Sequence, residues 1–113
     1  MSHVQHVSAQ TFKNDVQQST IPVLVDFYAD WCGPCRMLAP ALDRLSTEFA
    51  GRVKIVKVNV DKEPQLASQF QVESIPMLVV IAGGEVIGQA AGLVAEADLR
   101  SALNQIAPAA IAR

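Results

Sequence analysis

PVLVDFYADWCGPCRMLAPALDRLSTEF, residues 22–49, changes its periodicity within a few residues, and that change decides the fold. Pro22 to Ala29 is apolar throughout apart from Asp26, the pattern of a strand covered on both faces. From Pro34 onward Leu38, Ala41, Leu42, Leu45 and Phe49 recur at three- and four-residue steps, so one stripe of a helix is apolar. Gly51 stands where that helix would stop, and Pro40 inside it predicts a kink. Between strand and helix lies Trp31-Cys32-Gly33-Pro34-Cys35. Pro34 has no N–H and a fixed φ, which suits the first helical position, so Cys32 falls just before the helix and Cys35 in its first turn.

Downstream, Val53 to Val60 is rich in β-branched residues and reads as a second buried strand. Strand, helix and strand then make a right-handed βαβ unit, and the sheet is parallel there. Upstream, a short segment around Val4 to Val7 precedes Thr11 to Gln18, where Phe12 and Val16 stand at i, i+4 with Ser8 or Thr11 available as a cap. That predicts a short first helix. Beyond Asp61 comes another short helix through Leu66 and Phe70. Met77 to Ala82 and Glu85 to Ala91 then flank Gly83-Gly84 as an antiparallel hairpin. No helix N-terminus follows those glycines, so they are a turn and not a phosphate cradle. A last helix carries Leu99, Leu103 and Ile106 on one face and ends at Pro108. The order βαβαβαββα is an α/β fold with a central mixed sheet flanked by helices.

The 113 residues suffice for one ordinary domain and not for two, so residues 1–113 read as a single domain with 108–113 as a frayed tail. Half the residues are hydrophobic and 18% are charged, enough to bury a core. Nine Lys and Arg against eleven Asp and Glu, with no long run of one sign, exclude nucleic acid and anionic membrane surfaces as natural partners. Residues 1–10, MSHVQHVSAQ, have neither a basic n-region nor an apolar h-region, and no stretch is long enough to span a bilayer. The expectation is a cytoplasmic protein. His3 and His6, in a loosely held terminal segment, read as surface residues.

Both cysteines of the chain fall within four residues, at Cys32 and Cys35. A bond between them closes almost no loop and stabilises little. Residues three apart at a helix start are near neighbours, so a modest tightening of the turn brings the pair into disulfide range. The helix dipole and the unpaired amides of the first turn favour a thiolate on Cys32, the exposed sulfur, while Cys35 is directed inward. A zinc site would need four ligands, and the chain offers no second CxxC and only two histidines, so zinc is disfavoured. Two inert structural thiols fit poorly at a strand-to-helix junction. CxxC beside a βαβ pattern is itself the accepted mark of a thioredoxin-like redox motif.

VDFYADWCGPCRMLAP at Val25 to Pro40, VKVNVDKEP around Lys57, SIPMLVV around Ile75-Pro76, GGEV at Gly83 to Val86, and Gly92 together make the chain similar to the thioredoxin family over nearly its whole length. The resemblance implies the thioredoxin fold, and a protein disulfide reductase in which Cys32 is the nucleophile and Cys35 the resolving thiol. It needs no bound cofactor: the redox group is the Cys32-Cys35 disulfide, with NADPH used indirectly. The implied partners are a flavoprotein thioredoxin reductase and clients such as ribonucleotide reductase, methionine sulfoxide reductase and peroxiredoxins, with the chain acting as a monomer and electron carrier.

A buried carboxylate costs several kcal/mol as a charge, so Asp26 is either protonated near neutral pH or matched with a cation, and Lys57 in the neighbouring strand is the obvious partner. The resemblance implies that Asp26 serves Cys35 as a base, with Lys57 tuning it; the alternative is a structural ion pair. It also implies a cis bond at Ile75-Pro76 facing the cysteines, where the backbone of Ile75 hydrogen-bonds an extended substrate. Trp31, Gly33, Pro34, Val60, Ile75, Pro76, Ala91 and Gly92 would line a shallow apolar surface, although Val60 and Ala91 read equally well as core.

The chain departs from the family pattern at Tyr28, where Trp is common, at Met77, where Thr is usual, and at Ile81, Glu73-Ser74 and Ala95. Tyr28 and Met77 bear on redox potential and partner preference. An apolar Ile75 resembles reductant thioredoxins more than disulfide isomerases. The rival readings are a disulfide oxidase or isomerase, which needs an oxidising compartment, and a non-catalytic binding subunit, against which the intact CGPC, Asp26 and Ile75-Pro76 all argue.

Overall fold

Val23–Tyr28, the apolar run at the centre of the sequence argument, is the middle strand of a five-stranded sheet in the computed structural model, which describes residues 2–108. In chain order the elements are β1 (Gln5–His6), a π-helical turn (Lys13–Gln17), β2 (Val23–Tyr28), α1 (Gly33–Glu48), β3 (Lys54–Asn59), α2 (Pro64–Gln69), β4 (Met77–Ala82), β5 (Glu85–Ala91) and α3 (Glu96–Ile106). The spatial order is β1-β3-β2-β4-β5. β1, β3 and β2 run parallel, and β4 and β5 are antiparallel additions, which makes the sheet mixed. The tail expected from Pro108 onward lies, beyond that residue, outside the described residues.

Successive side chains of a strand point to opposite faces. On β2 this sends Val23, Val25 and Phe27 into one core with Phe12, Val16 and Val56, and Leu24 into a second core with Leu38, Leu42 and Leu45 of α1 and with Phe49 just past its end. Asp26 shares the face of Leu24, under α1. Its sequence neighbours Val25 and Phe27 therefore lie across the sheet from it. α1 runs unbroken through Pro40, which has no N–H to give to the carbonyl of Arg36. The helix ends at Glu48, and the chain turns at Gly51 with a φ of +83° that a side chain would strain.

Two expectations change in detail. The first helix is a five-residue turn in which the Gln18 amide reaches back to the Lys13 carbonyl at 2.9 Å. So short a segment takes its geometry from tertiary contacts: Phe12 and Val16 are buried, and Lys54 Nζ donates to the Asp15 carbonyl at 2.8 Å. The N-terminal segment is also held, not loose. His3 donates its amide to Ser46 Oγ at 2.9 Å, and β1 sets His6 beside Lys57 of β3. At α3 the structure agrees with the departure noted at Ala95, which stands where a Ser or Thr cap is usual and offers no side-chain cap; Glu96 and Asp98 occupy the first turn, and Glu96 meets Arg44 of α1 at 2.6 Å.

Candidate active site

Cys32 is the N-cap residue of α1, with extended backbone; Gly33 is the first helical residue and Pro34 the second, one place later than expected, where its missing N–H still costs the helix no bond. The Cys35 amide donates to Cys32 Sγ at 3.2 Å, so one of the unpaired N–H groups of the first turn is spent on that sulfur. Cys32 and Cys35 are joined in a disulfide, with Cα atoms 5.3 Å apart. In this closed state both residues are buried, at 4% and 3% exposure. The expected contrast of an exposed Cys32 and an inward Cys35 is thus not one of accessible area, because the bond draws both sulfurs against Ala29 with Tyr28, Val60 and Ile75 around them. What distinguishes the two is the helix: only the Cys32 sulfur receives its leading amide.

Trp31 is two-thirds exposed, and its Nε1 donates to Asp61 Oδ2 at 2.8 Å, which fixes the ring beside the pair. Sequence reasoning missed Asp61 as this anchor; thirty positions separate the two, and only the β3–α2 connection brings them together. Trp31, Val60, Ala67, Val72 and Ile75, with Glu73 and Ser74 at its edge, bound a largely apolar hollow of about 190 Å³. The Ile75-Pro76 bond is cis, and the Pro76 carbonyl accepts the Gly92 amide at 2.8 Å. Gly92 has a φ of +89°, a conformation that glycine alone adopts without strain. A Cβ on Gly33 would meet nothing within 4 Å, so that glycine leaves the surface beside Cys32 open and is not demanded by packing. Met77 packs in the core on the far side of the sheet, level with Phe27 and Ala91.

Asp26 is fully buried, and neither carboxylate oxygen has a hydrogen-bond partner among the described residues. Burial pushes its carboxyl up to about 6, against a downward pull from the Lys57 ammonium. The two residues are level in adjacent parallel strands. The expected pairing nevertheless does not form: Lys57 Nζ stands over the Tyr28 ring, 4.4 Å from its centroid. Lys57 and Cys35, with Tyr28, Asp30, Arg36 and Ala39, line a hollow of about 140 Å³ through which solvent reaches the neighbourhood of the inner sulfur. Among the described residues no cluster of three His, Cys, Asp or Glu side chains could hold a metal, and no helix is long and apolar enough to cross a membrane.

A disulfide at the start of a helix, able to open and close with little change in a rigid sheet, is the reactive group of a thiol–disulfide oxidoreductase. The thioredoxin family profile matches residues 3–105, and this chain belongs to that family. Thioredoxin 1 of a Nostoc strain is 45% identical over 105 residues, covering 93% of this chain and 98% of its own length. The thioredoxins of Synechocystis and Haemophilus influenzae are 47% and 48% identical over the same shares. Like its relatives, the chain carries its electrons on the cysteine pair, without a bound cofactor, and its partners are a thioredoxin reductase and disulfide-containing proteins.

Proposed function

We propose that this chain is a general protein disulfide reductase that keeps cytoplasmic proteins reduced, with Cys32 as nucleophile, Cys35 as resolving thiol and Asp26 as the base for Cys35. The observation that carries the reading is the Cys35 amide on the Cys32 sulfur at 3.2 Å, because the same donor at the positive end of α1 stabilises a thiolate on Cys32 once the pair is reduced.

In the reduced protein the Cys32 thiolate attacks one sulfur of a client disulfide; that bond breaks, a mixed disulfide forms, and the other client sulfur leaves as a thiolate that takes a proton. Cys35 then gives its proton to Asp26 and attacks the Cys32 sulfur. The mixed disulfide breaks, the second client sulfur leaves as a thiolate that takes the proton back from Asp26, and the client departs as a dithiol with two electrons from the pair. Trp31, Ile75, Pro76 and Gly92 receive the client chain, the Ile75 backbone pairing with its extended segment, while Gly33 and Pro34 keep the approach open and the helix start fixed. Lys57 tunes Asp26. An NADPH-dependent flavoprotein thioredoxin reductase restores the dithiol, and ribonucleotide reductase, methionine sulfoxide reductase and peroxiredoxins fit as clients.

An apolar, shallow surface beside the sulfur suits many disulfides and favours none strongly, so the purified protein accelerates insulin reduction by dithiothreitol. Turbidity of the released B chain reads this directly. A rate equal to dithiothreitol alone contradicts the reductase reading.

A further inference from the structure

An ammonium level with a buried carboxyl on the next strand ordinarily pairs with it, since burying an unmatched charge is costly. Asp26 has no such partner among the described residues, although Lys57 occupies the matching position. Lys57 is instead placed over the ring of Tyr28, which lies two residues beyond Asp26 on the same face of β2. The ring is itself held. Tyr28 Oη lies 3.2 Å from His6 Nδ1, the two rings meet edge to face with centroids 6.0 Å apart, and β1 fixes His6 through its pairing with Lys57 of β3.

Two hollows meet at the Tyr28–Lys57 pair. One, of about 140 Å³, brings Asp30 and Arg36 near it on the Cys35 side; the other, of about 300 Å³, brings His6, Lys62 and Glu63. β4 faces Asp26 with uncharged Leu78, and α1 contributes Cys35 and Arg36. Among the described residues Lys57 is therefore the one cation level with Asp26, and its position decides how the carboxyl is matched.

We propose that Tyr28 is a positioning residue: its ring, anchored by His6, holds the Lys57 ammonium off Asp26 and so keeps the carboxyl unpaired. A cation over an aromatic face gives up less of its hydration than one driven into a carboxylate pair, so the arrangement is stable without a salt bridge. Its consequence for turnover rests on the reading of Asp26 as the base, but the placement of Lys57 does not.

The test is the titration of the Asp26 side-chain carboxyl followed by carbon NMR in the reduced full-length protein. Tyr28→Leu removes the ring and releases Lys57, so the Asp26 midpoint falls by about one pH unit, a tenfold loss of proton affinity. In a Lys57→Met background the same substitution leaves the midpoint unchanged. Tyr28→Phe keeps the ring, and with it a midpoint within a few-fold of wild type in proton affinity. In the wild type, the Lys57 side-chain methylene protons next to Nζ show an upfield ring-current shift, which reports the contact even if Tyr28→Leu does not fold. An unmoved midpoint in folded Tyr28→Leu, an equal fall with and without Lys57, or unshifted Lys57 protons in the wild type each overturn the inference. Because the titration reads Asp26 directly, failure of the base assignment shows separately, as wild-type turnover in Asp26→Ala.

Discussion

Cys35→Ser accumulates client proteins as mixed disulfides through Cys32, while Cys32→Ser accumulates almost none. The asymmetry does not come from exposure, since both residues are buried in the disulfide form. It comes from the start of α1, where the first-turn amide of Cys35 points at the Cys32 sulfur and at no other. Attack on a disulfide requires a thiolate, and the charge that forms on Cys32 is the one the helix end stabilises. With Cys35 replaced, that attack still occurs but nothing expels the client. With Cys32 replaced, the remaining thiol sits inside the first turn without this donor, and reductase turnover falls by at least about a thousandfold, the scale on which loss of a nucleophile slows covalent catalysis. Non-reducing gels of extracts passed over the two immobilised variants measure the difference. Equal yields of trapped protein contradict the assignment of roles.

Asp26→Ala has the second large effect, and it combines a gain in stability with a loss of rate. The folded carboxyl titrates at about 6, against 3.8 as the ordinary value, because burial penalises its charge. The native state thus binds this proton more tightly than the unfolded chain does. Stability from that binding is fully present below about pH 4 and is lost as pH rises through about 6. Two pH units correspond to about 3 kcal/mol, so the stability of Asp26→Ala relative to wild type rises by about that much between about pH 3 and about pH 7. Denaturant titrations at the two pH values read it, and the small cavity left by the substitution cancels from the comparison.

The rate loss has its own pH signature. Above about 6 Asp26 is a carboxylate able to take the Cys35 proton, and its removal slows resolution of the mixed disulfide by about tenfold. That is less than the hundredfold or more a positioned base can supply, because the hollow beside Cys35 admits water as a substitute. Below about 6 the carboxyl holds its own proton and the gap to the variant narrows. A variant destabilised by several kcal/mol that nevertheless turns over at the wild-type rate across this range makes Asp26 a structural residue.

The βαβ unit and the hairpin were legible because their signals are local. The apolar stripe from Leu38 to Phe49 and the β-branched run at Lys54–Asn59 each specify an element and its buried face within one segment. The cysteine pair was legible for the same reason, being spaced by one turn at a strand-to-helix junction. Contacts set by sheet order were not. Trp31 to Asp61, Tyr28 to His6 and Lys57 to Tyr28 join residues 30, 22 and 29 positions apart, and no periodicity encodes them. The sequence pattern put Lys57 beside Asp26 correctly, but a long flexible side chain has more than one partner in reach, and an aromatic ring won over a carboxylate. Strand alternation, by contrast, is legible from the sequence: it puts Val25 and Phe27, the chain neighbours of Asp26, in the opposite core.

The strand that carries Asp26 and the helix that opens at Cys32 converge on one claim, that the Cys32–Cys35 pair is a donor of electrons to other disulfides. Equilibration of the pair in glutathione buffers of known ratio, with the dithiol fraction read after acid quenching and alkylation, tests it most directly. The expected midpoint is near −270 mV, the general thioredoxin value and not a figure that this geometry yields, so that only strongly reducing mixtures hold the dithiol. A midpoint near −120 to −180 mV, where oxidants and isomerases of disulfides operate, would contradict the account.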